Sequence, residues 1–81
     1  MSTASAATAL FASRLQPSDQ PTLAQVKTVV CDSLRSNGGV RGCAAVCATE
    51  YGDHPDTARV RMRWALALIE QIRRPAPSAA A

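Results

Sequence analysis

The chain has 81 residues, with nine Lys and Arg against six Asp and Glu for a net charge of +3. That length allows one domain at most, and with a single Phe, Tyr and Trp the core must come from Leu, Val, Ile, Ala and Cys. No apolar run reaches the length of a membrane span, and three cysteines, an odd number, argue against a disulfide-stapled secreted fold.

Residues 1–21 are mostly Ala, Ser and Thr with two prolines and lack apolar periodicity. The acid-free opening MSTASAATALFASRL overlaps in composition with organellar transit peptides and with Ala-rich disordered bacterial tails. Residues 1–21 are read as a flexible tail, and so are residues 75–81, PAPSAAA. Residues 22–74 are left to build a three-helix, all-α domain. A domain of that size buries only about 60% of its unfolded surface and gains from dimerisation or a bound ligand.

The first expected helix opens at Thr22, where Pro21 precedes a Thr22-x-x-Gln25 capping box. Leu23, Val26, Val30 and Leu34 recur on one face, and Asn37-Gly38-Gly39 ends the helix through the left-handed conformation open to Gly. The second helix is expected over Val40 to Tyr51, with Val40, Cys43, Ala44, Cys47, Ala48 and Tyr51 on one face. Gly52 stops it, and Asp53-His54-Pro55 forms a turn in which Pro55 begins the next helix. The third helix runs from Asp56 to Arg74 over a core stripe of Ala58, Met62, Ala65, Ile69 and Ile72, with Leu66 and Leu68 at its margins. Arg59, Arg63 and Arg74 lie opposite with Glu70. Val60, Trp64 and Leu68 form a separate apolar stripe that faces a second neighbour: either another protomer or, with Trp64 packed under it, Tyr51 or the N-terminal arm. No β pattern or internal repeat is present.

The whole net charge traces to the third helix: five Arg stand against Asp56 and Glu70 between residues 56 and 74, and the residues before it sum to zero. A basic helix entered through a sharp turn after a shorter helix has the form of a helix-turn-helix. His54 to Arg63, HPDTARVRMR, resembles the C-terminal helix-turn-helix of PucR/CdaR-type transcriptional regulators, whose recognition helix reads H-x-N-T-V-R-Y-R-L. Leu34 to Gly39, LRSNGG, is similar to the segment upstream in the same domains. The resemblance covers Leu34 to Ala65. Asp56 departs from the usual Asn, and the stretch from Gly39 to His54 is about one turn longer than the family pattern. The sensing and activation regions of such regulators are absent from the sequence.

The resemblance implies double-stranded DNA as partner and a cytoplasmic bacterial or phage protein. Arg59 and Arg63 would reach base edges or phosphates in the major groove. Arg41 and Thr57 would fix register on the backbone, His54 would cap the third helix or touch a phosphate, and Arg73 and Arg74 would add unspecific attraction. Arg61 is expected to pair with Glu50 or Asp53. A net +3 is modest, so a dimer reading two half-sites is expected. The rival reading is a protein–protein interaction module of the same fold, with Val60, Trp64 and Leu68 as its working surface and the arginines as a polar rim.

Cys31, Cys43, Cys47 and His54 are the candidate ligands of a structural metal. Their spacing lacks a C-x-x-C knuckle, and Cys in an Ala-rich helix packs as a larger Ala, so no metal or other cofactor is expected. Asp53 and Asp56 flank a helix start, where capping accounts for them. No nucleophile has an evident base and no phosphate-binding Gly loop is present, so neither an enzyme nor a small-molecule substrate is expected.

Overall fold

The structure, a computed structural model, describes residues 1–74. It is all-α, with four helices among those residues: α1 (Thr3–Phe11), α2 (Leu23–Asn37), α3 (Gly39–Asp53) and α4 (Pro55–Arg73), plus a 3-10 turn at Pro17–Asp19. The tail reading of residues 75–81 lies outside the described residues.

The expected flexible tail over 1–21 is corrected by α1. Ser2 caps this helix by accepting from the Ser5 backbone N–H at 3.0 Å. Ala, the best helix former, supplies four of its nine residues. Ala6, Ala7, Ala9, Leu10 and Phe11 are all buried. Five neighbours on a short helix span most of its circumference, so α1 is a central element, packed against α2, α3 and α4. The expected three-helix domain is therefore a four-helix one.

The local signals for α2 hold. Thr22 and Gln25 form the reciprocal capping box, with Gln25 Oε1 accepting from the Thr22 N–H at 2.7 Å and Thr22 Oγ1 from the Gln25 N–H at 3.1 Å. Gly38 closes the helix at φ 79°, ψ 40°, in the left-handed region. Val26 and Val30 enter the core and Leu34 is half-buried, whereas Leu23 stays exposed.

The α2–α3 corner is made by small residues. Ser33 is buried, Cys43 Sγ lies 3.7 Å from its hydroxyl, and Asn37 Nδ2 donates to the Ser33 carbonyl at 2.9 Å. Gly42 passes so close to α2 that a Cβ there would overlap the Asn37 carbonyl. The obstacle is backbone, so Gly42→Ala must push the two helices apart. Overpacking of this kind costs about 1–3 kcal/mol or more, which a urea midpoint measurement will read.

The expected stop at Gly52 is corrected: Gly52 and Asp53 remain helical and the chain breaks at His54 alone (φ −140°, ψ 68°). Pro55 is the cause, because the residue before a proline is excluded from the helical region. Pro55 itself takes the first helical position, where it has no N–H to waste. Ala44 and Ala48, expected on one face with Cys43 and Cys47, are exposed. Cys43 and Cys47 are the buried side chains of α3, and Cys47 clusters with Ala58 and Phe11 beside Met62. In α4 the core stripe stands, with Ala58, Ala65 and Ile69 buried and Met62 and Ile72 half-buried.

Candidate interaction surfaces

The residues expected to meet DNA, Arg41, His54, Thr57, Arg59, Arg63 and Arg74, are all exposed, but the structure does not gather them. At about 100° per residue, Arg59, Arg63, Glu70 and Arg74 fall on one flank of α4 and Thr57 on the other, with Arg61 and Trp64. Thr57 is exposed at the edge of a cleft that it lines with Phe11, Val46 and Glu50. Arg59 donates to Asp56 Oδ1 at 2.8 Å, so its charge is partly compensated within its own helix. Arg41 and Arg63 have no ion pair among the described residues. The α3–α4 corner, where a phosphate would have to enter, presents Glu50, Asp53 and Asp56, all exposed. Half of the six acids in the chain stand there.

Arg61 does not pair with Glu50 or Asp53. Its Nε donates to the Phe11 carbonyl at 2.9 Å and its Nη2 to the Ser13 carbonyl at 2.8 Å, with the Leu10 carbonyl at 3.4 Å. The Leu10 and Phe11 carbonyls belong to the last turn of α1 and Ser13 follows it, at the helix end where a cation is favoured. The guanidinium also lies 5.5 Å from the Phe11 ring centroid and 5.1 Å from that of Trp64. Burial lowers its pKa from the ordinary value, while the nearby Cys47 and Glu50 act the other way; an arginine stays protonated regardless. Burial, then the neighbouring Cys43, raises the Cys47 thiol against the opposing pull of Arg61. Arg73, expected as a phosphate contact, donates instead to Thr3 Oγ1 at 3.2 Å and to the Met1 carbonyl, at the other end of α1. Sequence reasoning missed both roles because the acceptors are main-chain atoms and a hydroxyl of a distant segment.

The Val60, Trp64 and Leu68 stripe is continuous with the core on one side. Trp64 and Leu68 are half-buried against it, and Tyr51 stacks on Phe11 at 6.0 Å rather than on Trp64. Val60 is 63% exposed. Together with Trp64, Thr57 and Pro17 it lines a shallow, mostly apolar cleft.

The candidate metal ligands are dispersed. Cys43 and Cys47 are core side chains, Cys31 is exposed on α2, and His54 is at the α3–α4 corner. Among the described residues no three His, Cys, Asp or Glu side chains are close enough to share an ion. No helix among them is long and apolar enough to cross a membrane. Comparison with protein families, curated proteins and solved structures gives no match for this chain.

Proposed function

We propose that this protein is a helical protein–protein interaction module whose working surface is the outer face of α4. The observation that carries the reading is Val60, a large aliphatic side chain left 63% exposed in a helix whose other face is well packed. Thr57, Val60, Trp64, Ala67 and Gln71 recur at alternating spacings of three and four, the spacing of a helix–helix seam. None of the five is charged. The face fits a second copy of the chain running antiparallel. Trp64 then meets the partner's Ala67, large against small, and Arg63 lies beside the partner's Glu70. A parallel pair would set Trp64 against its own copy and leave both charges without partners.

The seam covers about 21 Å of helix, so the dimer is weak and reversible. Sedimentation equilibrium up to about 1 mM should show concentration-dependent dimerisation, abolished by Val60→Lys, a solvent-exposed change that leaves the fold intact. Arg63→Glu should weaken the dimer and Arg63→Glu with Glu70→Arg should restore it. A protein that stays monomeric throughout overturns the self-pairing.

A nucleic-acid reading rests on the uncompensated Arg41 and Arg63. The acidic corner at Glu50, Asp53 and Asp56 opposes it, because those carboxylates would have to approach the phosphates. Salt-sensitive binding of random duplex DNA, lost in Arg41→Ala with Arg63→Ala, would favour that reading over the interaction module.

A further inference from the structure

A second surface lies on the far end of the bundle from the acidic corner. α2 and α4 diverge over the N-terminal half of α1 and leave a groove of about 310 Å³ between them. Its apolar lining is Met1 and Ala6 of the N-terminal segment, Val30 of α2, and Ile69 and Ile72 of α4. Among the described residues its charged lining side chains are Lys27 and Arg73, and both are positive. Lys27 has no ion pair among the described residues. Among the described residues Arg73 donates to an uncharged hydroxyl and an uncharged carbonyl and has no acidic partner. Apolar walls with two cations at the lip, and no acid, define the complementary guest.

We propose that this groove seats an acidic amphipathic helix of a partner protein. Its aliphatic residues at i, i+3/i+4 and i+7 would lie against Val30, Ile69 and Ile72, and its carboxylates would flank them at Lys27 and Arg73. A second copy of this chain is a poor occupant of the same groove, because pairing groove to groove would bring Lys27 and Arg73 against their own kind. The site is separate from the outer face of α4, and neither reading depends on the other.

The structure supplies a reporter. Cys31 is exposed on the groove wall, whereas Cys43 and Cys47 are buried at 0% and 7% relative exposure. Ellman's reagent should therefore modify one thiol quickly in the native protein. The probe is a synthetic 18-residue peptide with Leu at helical anchor spacing and Glu on both flanks. At saturation it should slow Cys31 modification at least about five-fold, and the protection should fade with salt. Lys27→Glu, an exposed change with native circular dichroism, should weaken the peptide about ten-fold. Overturning results are no protection by the peptide, equal protection by the Lys-flanked version, or protection by dodecanoate alone, which would make the groove an amphiphile site. Val60→Lys should leave the protection unchanged; loss of protection in that variant would place the peptide on the α4 outer face and overturn the assignment.

Discussion

Removing residues 1–13 is expected to unfold the rest of the chain. The deletion takes away Leu10, fully buried, and Phe11, 3% exposed, together with three buried alanines that fill the space between α2, α3 and α4. Truncating a buried Leu to Ala costs about 2–5 kcal/mol and a buried Phe to Ala about 3–5 kcal/mol. A domain of this size has roughly 4–11 kcal/mol in all, so the two losses alone are comparable to the total. What remains would expose Val26, Val30, Ala65 and Ile69, which are 0–7% exposed in the complete structure, and would strand Arg61 without its carbonyl acceptors. The fragment 14–81 should give a weak helical circular dichroism signal at 222 nm and no cooperative thermal transition. A synthetic peptide of residues 1–13 added in trans should restore part of both, since α1 is held by side-chain packing and by the Arg61 and Arg73 hydrogen bonds, all of which a separate peptide can make. A cooperative melt of the isolated fragment would show that α1 lies on a core that is complete without it. The single substitution Leu10→Ala gives the graded form of the same test, with a loss of about 2–5 kcal/mol.

The parts legible in the sequence are those determined by neighbours along the chain. The Thr22 and Gln25 box, the Gly38 close and the Pro55 start each involve residues within four positions of one another, and the structure has all three. The α4 core stripe was legible for the same reason, because one buried face imposes a 3.6-residue period. α1 was not, since period is a signal of one-sided burial. A helix of Ala surrounded by three others buries residues at 6, 7, 9, 10 and 11 and leaves no stripe to read. Its composition instead imitates a disordered tail. Gly52 misled in the opposite direction: it needs no left-handed conformation, and the proline three residues later decides where α3 ends. Arg73 reads in the sequence as a phosphate contact and Arg61 as the partner of an acid, whereas both serve main-chain or hydroxyl acceptors at opposite ends of α1. Of the second apolar stripe only Val60 is exposed; Trp64 and Leu68 pack against the core, which the local sequence does not reveal because their neighbours come from distant segments.

Arg61→Ala is expected to be the most damaging single change at a charged residue. The side chain makes hydrogen bonds to the Phe11 and Ser13 carbonyls and stands between two aromatic rings. Hydrogen bonds from a charged group contribute about 1.5–3 kcal/mol and a cation over an aromatic face about 0.5–2 kcal/mol. These terms share one side chain and do not add in full, and the group is partly solvated, which puts the expected loss at roughly 2–4 kcal/mol. For a domain of this size each kcal/mol lowers Tm by about 4–8 °C, so the variant should melt at least about 8 °C below the parent. Arg61→Lys separates the two contributions. Lysine keeps the charge near the end of α1 but lacks the planar fork that serves two carbonyls at once and stacks on a ring. It should recover less than half of the loss. Arg63→Ala, one turn-step away on the exposed flank with no ion pair among the described residues, should change monomer stability by no more than about 0.5 kcal/mol. The contrast between two arginines two positions apart is the sharpest check on the placement of α1. Equal, small effects at both would mean that Arg61 faces solvent and that the C-terminal end of α1 is held by something else.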